Sequence, residues 1–326
     1  MPLPTPGDVH VDTLLTGISV AYMNTADKFV ADIVFPRVPV TQRSGKYATY
    51  SKADFLRDEM KYRAPGSVSA GGGFRTSTAT YFAEVFGFHV DVDDQTVANA
   101  TSPFEPVRDA TQYITQKELI KREVDFVSNF FTTSVWTGGK KVAGTNGDLV
   151  AGTDFTAWDD ASSTPIEDVQ NQIAEVESAT GILPNTLVVN RRVAMALRNH
   201  PDIVDRIKYT SGNPVGEDII ARLLGVDRFL VAAGVKNSAA EGLTNSSDYI
   251  AGNNALLVYS AASPSLMNPS GGYTFVWSGL TGSQDGRRIK RYRLEEYSSD
   301  RVEIEAAWDM KVVAADTGAF FQNCVS

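Results

Sequence analysis

The 326 residues hold one cysteine, Cys324, and three histidines, His10, His89 and His200. A lone thiol excludes an internal disulfide framework and a thiolate metal cage within one chain. The scattered histidines leave no His-x-x-x-His metal helix. No apolar run approaches about 18 residues, so no membrane-spanning helix is expected. The opening MPLPTPGDVH lacks the basic segment and apolar stretch of a secretory signal. Positive charge is the scarcer sign: 30 Lys and Arg against 39 Asp and Glu leave a net charge of −9. That argues against a surface built throughout for nucleic acid, while leaving room for a local basic patch.

Motifs of chemistry are missing as well. There is no G-x-x-x-x-G-K-[ST], G-x-G-x-x-G or G-x-S-x-G. Gly71, Gly72 and Gly73 precede a strand pattern, so they offer no helix-start amides to a phosphate. Cys324 reads as a small hydrophobe and His200, in Arg-Asn-His-Pro, as a cap or dipole partner at a helix end. Acidic pairs such as Asp93-Asp94, Asp159-Asp160 and Glu295-Glu296 read as solvated or diverging neighbours. The sequence thus suggests no catalytic residue, cofactor or metal. This lowers the expectation of an enzyme without excluding one, because catalytic groups are assembled from distant positions.

What is present is ample core material, 43% hydrophobic residues with 10% aromatic and 21% charged, which is not the composition of a disordered chain. Residues 1–40 carry Pro2, Pro4, Pro6, Pro36 and Pro39 around a mildly apolar segment with helical character from Val20 to Phe29. The prolines make this an extended arm that lies across something else, or else a disordered tail. Val38–Ser51 and Arg75–Val92 read as strands, the second with Phe82, Phe86, Phe88 and Val90 on one face. Between them runs a charged, then glycine-rich, loop. A two-stranded ribbon of this reach projects beyond the body and needs a partner surface, unless it folds back on its own domain.

Pro103–Phe131 shows the strongest helical pattern. Its apolar stripe is Val107, Ala110, Ile114, Ile120, Val124, Val127 and Phe131, and Glu118, Arg122 and Glu123 are assigned to wetter sides. A helix that long is a structural spine. Beyond Gly-rich residues 137–153 the pattern is mixed α/β. Thr164–Glu167 forms a capping box, Gly181 and Gly225 stop helices, and TLVVN at 186–190 is a buried strand. Strands are also expected at Arg228–Ala233, Ala255–Ser260, Tyr273–Trp277, Ile289–Tyr297 and Val302–Trp308. In the last, Val302, Ile304, Ala306 and Trp308 alternate with Glu303 and Glu305. One cluster stands out: Arg287, Arg288, Lys290, Arg291 and Arg293. On a strand, Arg287, Arg291 and Arg293 share a face with Ile289, while Arg288 and Lys290 share the other with Tyr292. Such a patch suits nucleic acid, or acidic segments of a neighbouring copy such as Asp54, Asp58 and Glu59 or Glu295-Glu296; the net charge favours the second.

The order of arm, ribbon, spine helix, α/β lobe and returning strands resembles the major capsid protein of tailed bacteriophages, the Hong Kong ninety-seven coat fold that encapsulins share. Three stretches are similar to one branch of that family: LPNTLVVNRRVAMALRNHPDIVDRIKYTSG (183–212), EDIIARLLGVDRFLVAAGVKNSA (217–239) and RYRLEEYSSDRVEIEAAWDMKVVAADTGAFF (291–321). The resemblance covers nearly the whole chain. It implies an α+β fold: N-terminal arm at 1–40, extended β-hairpin loop at 41–92, and a peripheral domain at 93–158 with its spine near 104–131. An axial α/β domain at 159–288 follows, and 289–326 return to the peripheral and then the axial domain. It further implies self-assembly through hexamers and pentamers into an icosahedral shell enclosing double-stranded DNA, with localisation in the virion after assembly in host cytoplasm. The implied partners are other copies of the chain, a portal protein, a decoration protein, non-specifically contacted DNA and no membrane. Because the arm starts near Met1, a separate scaffolding protein is expected. The candidate interface residues are Asp58, Glu59, Lys61 and Arg63 near the ribbon tip, facing Arg287, Arg288, Lys290, Arg291 and Arg293 of a neighbour. The alternatives are an encapsulin-like compartment shell and an α/β enzyme centred on 160–290.

Overall fold

The computed structural model describes residues 23–101, 104–137, 142–145, 154–207, 216–264 and 269–325. Most of the expected arm lies outside the described residues. Its root contributes a 3-10 turn at Ala26–Lys28, helix α1 (Ala31–Val34) and strand β1 (Arg37–Val40). β2 (Ser44–Tyr50) and β3 (Thr76–Phe82) pair antiparallel as a two-stranded ribbon, with α2 (Lys52–Phe55) opening the loop between them. β4 (Glu84–Asp93) and α3 (Asp94–Asn99) lead into α4 (Pro106–Phe130), the spine. Its 25 residues span about 38 Å at 1.5 Å each.

The next segment holds β5 (Val142–Thr145), β6 (Asp154–Thr156), α5 (Pro165–Thr180), β7 (Thr186–Asn190), α6 (Arg191–Asn199) and α7 (Pro201–Ile207). After α8 (Glu217–Leu224) come β8 (Arg228–Ala232), the small hairpin β9 (Val235–Asn237) and β10 (Ser247–Tyr249), and β11 (Ala255–Val258). β12 (Gly272–Trp277), α9 (Ser278–Thr281), β13 (Arg287–Leu294), β14 (Ser299–Val312) and β15 (Gly318–Gln322) complete the chain. Two large sheets result. A five-stranded sheet runs β1-β12-β14-β13 with β4 also on β14, and a six-stranded sheet runs β6-β5-β15-β11-β7-β8.

β14 is the axis of the first sheet. β4 pairs with it from Ser299 to Trp308, β13 from Ser299 to Ala306 and β12 from Trp308 to Val312. Its period-two alternation places Val302 and Ile304 against Ala110 and Ile114 of α4, with Val92, Phe88 and Val90 beside them. The second sheet is covered on both sides, which is why β7 and β11 are apolar without alternation. Leu187, Val189, Ala255 and Leu257 meet α5, α6 and α8, while Val188, Leu256 and Val258 meet Phe126 and Phe130 of α4 with Phe35 and Trp136. The Trp136 indole donates to the Phe130 carbonyl at 2.6 Å. Gly318 packs so closely that a Cβ there would lie 2.5 Å from the Trp136 ring.

Several expectations need correction. The stretch 75–92 is not one ribbon strand, and the ribbon does not extend through 92. Ala83, fully buried, interrupts it; its N–H donates to the Arg43 carbonyl and that of Phe82 to the Asp309 carboxylate. Phe82 stays half exposed, and β4 belongs to the large sheet. The chain re-enters that sheet with β12 at Gly272, earlier than 289. The capping box does not close: Thr164 makes no side-chain cap bond, and Glu167 turns to Arg206 instead. In α4, Glu118, Arg122 and Glu123 are buried while Ile120 and Val124 are only partly so, because the helix is crossed by the arm root and its charges. Gly181 and Gly225 do end their helices with positive φ, 71° and 78°.

Candidate assembly surfaces

The ribbon base is fastened to its own subunit. Tyr81 stacks on Phe275 at 4.7 Å between ring centres, Tyr47 approaches it at 5.3 Å, and Lys52 pairs with Asp316 at 2.8 Å. A groove of about 530 Å³ remains beneath it, lined by Tyr47, Tyr50, Phe55, Leu56, Ile182 and Tyr273 among others. Farther out, Asp54 closes the loop by accepting from the Arg75 backbone and guanidinium, at 2.9 and 3.1 Å. The Arg75 hydrogen bonds hold the Asp54 carboxyl below the usual carboxylate range. Tyr50, Phe55 and Phe74 form an aromatic cluster there with ring centres 5.6–6.0 Å apart.

Beyond this closure every residue from 57 to 74 is exposed. Met60, Tyr62 and Val68 are 93%, 94% and 94% accessible, an arrangement that leaves large side chains in water without a packing partner among the described residues. Of the charged tip residues, Glu59 pairs with Arg57 at 3.0 Å and Arg63 donates to the Ser67 carbonyl. Asp58 and Lys61 make no ion pair among the described residues.

β13 carries the basic cluster with the faces expected of a strand. Arg287, Ile289, Arg291 and Arg293 stand opposite Ala306, Ile304, Val302 and Asp300, while Arg288, Lys290 and Tyr292 stand opposite Glu305, Glu303 and Arg301. Each cation has a carboxylate within the chain. Arg288 and Lys290 share Glu305 at 2.7 Å each, Arg291 meets Asp300 at 2.6 Å, and Arg287 reaches Glu118 at 3.7 Å. Arg293 grips Asp94 through two bonds of 2.5 and 2.6 Å. Hydrogen bonds from Lys290 depress the Glu305 carboxyl, as Arg293 depresses Asp94. The strand is therefore balanced by its own chain, and Arg291, 58% exposed, is the most accessible of the five.

A second charged cluster, not singled out in the sequence, joins the arm root to the spine. Arg122 lies over the Trp308 ring at 4.8 Å, pairs with Asp32 at 2.7 Å and contacts Glu118 at 2.8 Å. The Glu118 contact is close but off hydrogen-bond alignment, so it acts as a Coulombic pair. Arg37 also reaches Asp32 at 3.4 Å. The i,i+4 spacing of Glu118 and Arg122 was the one available signal, and that spacing is equally common on solvated faces.

The remaining chemically suggestive groups are structural. His200 caps α7: its Nδ1 accepts from the Asp202 N–H at 3.2 Å, and its Nε2 lies 2.9 Å from both the Asp160 carbonyl and the Ser163 hydroxyl. His200 and Ser163 are both buried, so no substrate reaches this pair. Cys324 is also buried, which raises its thiol well above the ordinary value and keeps it protonated. Among the described residues no three His, Cys, Asp or Glu groups converge as a metal site, and no helix is long and apolar enough to cross a membrane.

No family model matches the sequence. A major capsid protein of Pseudomonas phage JBD67 is 28% identical over 322 residues, 97% of each chain. A phage-related protein of Bordetella bronchiseptica RB50 superposes with a TM-score of 0.68 at 19% identity, over 92% of this chain and 94% of that one. The capsid of cyanophage P-SCSP1u gives 0.61 at 12% identity, over 97% and 93%. An encapsulin from Synechococcus elongatus PCC 7942 gives 0.52 at 10% identity, over 94% and 92%.

Proposed function

We propose that this chain is the major capsid protein of a tailed phage, a subunit that joins its own copies through hexamers and pentamers into an icosahedral shell enclosing double-stranded DNA. Its fold is that of phage capsid subunits. The observation that carries the reading is the ribbon: its base is fastened to the body, while residues 57–74 hold large apolar side chains in solvent. A surface of that kind is completed by another subunit. The encapsulin reading is weaker, since the curated relatives are phage capsid proteins and the encapsulin superposes less well than the cyanophage capsid.

The chain is read as non-enzymatic, because the Ser163–His200 pair is sealed in a helix cap. The net charge of −9 and the internally balanced β13 support loose, non-specific contact with DNA. Portal, scaffolding and decoration proteins are the further partners that this function requires or accommodates, and the virion is the expected location after assembly in host cytoplasm.

Electron microscopy of the purified full chain tests the reading. Closed shells tens of nanometres across are expected, and a uniform small oligomer under all assembly conditions overturns it.

For the interface, Asp58, Glu59, Lys61 and Arg63 of one ribbon tip are proposed to face Arg287, Arg288, Lys290, Arg291 and Arg293 of a neighbouring copy. Asp58, without an ion pair among the described residues, and the accessible Arg291 support this, and Asp300 competes with it by already holding Arg291. Reversing Arg291 and Arg293 to Glu, or Asp58 and Glu59 to Lys, is expected to abolish shells, and combining the two reversals is expected to restore some. Normal shells from the Asp58→Lys, Glu59→Lys variant would discard the pairing, since neither change touches the β13 ion pairs.

A further inference from the structure

The arm root is wedged between the two lobes. On one side Asn24 donates to the Val235 carbonyl at 2.8 Å and the Ala233 N–H to the Lys28 carbonyl at 3.1 Å. On the other, one oxygen of Glu123 on the spine helix accepts both the Val30 and Ala31 N–H groups, at 3.0 and 2.9 Å. Phe29, Val30 and Ala31 are all buried at this joint. The second oxygen of Glu123, Oε1, is buried and meets no hydrogen-bond partner among the described residues.

That asymmetry has a chemical consequence. A proton on Oε1 leaves Oε2 free to accept both amides, so the neutral acid keeps the contact and buries no charge. The carboxylate accepts the same two amides more strongly, which favours ionisation, but it places a charge in a buried site with one unpartnered oxygen, and burial is the larger effect. The charged group that acts on Glu123 is Asp32 on α1; Arg37 on β1, Glu118 and Arg122 on α4 and Arg287 on β13 form the adjoining ion-pair cluster. Asp32 opposes ionisation of Glu123, while Arg122 is committed to Asp32 and Glu118.

We propose that the Glu123 carboxyl is a catch whose charge state sets how firmly the root of the amino-terminal arm is held to the spine helix. Burial raises its pKa from 4.5 to about 7. The closed joint thus binds a proton that the open joint releases. Holding is firmest below about pH 4.5, weakens as the pH climbs toward 7, and levels off above it. The device belongs to the folded subunit and does not depend on shell formation.

Hydrogen exchange at the Val30 and Ala31 amides of the full chain, normalised for intrinsic exchange rates, reads the catch directly. With those two pKa values, protection falls about tenfold between pH 6 and pH 8. Glu123→Gln, which retains an oxygen acceptor and cannot ionise, is expected to flatten this dependence. An equal slope in Glu123→Gln, or none in the parent chain, overturns the proposal. Carbon NMR of the Glu123 carboxyl in the unmodified protein is a second reading: a midpoint near 7 agrees, and one near 4.5 refutes it even if the variant does not fold.

Discussion

Replacing residues 58–73 with a two-glycine turn is expected to abolish the proposed shell assembly and to leave the melting temperature of the free subunit within about 2 °C of the parent. Every residue removed is exposed, and the packing of Phe74 on Tyr50 and Phe55 and the Arg57–Asp54 pair are kept, so the body loses no buried contact. The elements that seat the ribbon, Tyr47 and Tyr81 on Phe275 and the Lys52–Asp316 pair, remain. What disappears is the apolar surface of Met60, Tyr62 and Val68. Covering those three side chains contributes about 5–9 kcal/mol per contact before the cost of ordering the loop. Light scattering together with electron microscopy measures the loss. Shells at parental yield would show that the tip contributes nothing to association.

Substituting Arg122 by Met is expected to destabilise the subunit by about 3–5 kcal/mol, lowering the melting temperature by about 5–10 °C. Arg122 is 2% exposed and lies between Asp32 and Glu118. Without it, Glu118 is left in a dry site with Arg287, at 3.7 Å, and the more weakly acting Arg37. Burial already raises the Glu118 carboxyl, and losing Arg122 raises it further. The variant's deficit therefore shrinks as the pH falls and Glu118 takes up a proton. Adding Glu118→Gln to Arg122→Met recovers much of the loss, because the second change removes the stranded charge. Thermal melts of the parent, the Arg122→Met and Glu118→Gln single variants and the double variant at pH 5 and pH 8 measure both effects. A single variant as stable as the parent at pH 8 contradicts the account.

The legible parts of the fold were those ruled by local periods. The spine pattern read at Pro103–Phe131 corresponds to a helix at Pro106–Phe130, and the β14 alternation put Val302, Ile304 and Ala306 on the helix side. Gly181 and Gly225 marked true helix ends. The illegible parts were decided by distant residues. Nothing near Ala83 marks a strand break, since the chain is redirected by Asp309, 227 positions away from Phe82. The partner of Arg293, Asp94, lies 199 positions away, so five cations in seven residues looked free when each was answered by a carboxylate. Arg122 and Glu118 looked solvated because a polar residue at a buried position has the same spacing as one on the wet face; only the fold brings Asp32 to them. The ribbon was legible in outline, as two strands joined by a charged, glycine-rich loop, though its second strand was read too long and the apolar content of its tip drew no attention.

The single residue between β3 and β4 has a mechanical meaning. Tension along the ribbon enters the body at Ala83 and passes directly to β4, which is laddered to β14 through ten residue pairs from Glu84 to Asp93. A pull along that strand must slide the whole ladder at once, whereas a sideways pull would open it one rung at a time. β13 and β12 flank β14 end to end on its other edge and spread the same load across the sheet. The root of the arm enters this sheet too, because β1 lies parallel on β12 from Arg37 to Val40. In the proposed shell, strain entering through the ribbon would thus be delivered to the same few strands as strain entering through the arm root, with β14 the tie-rod between them.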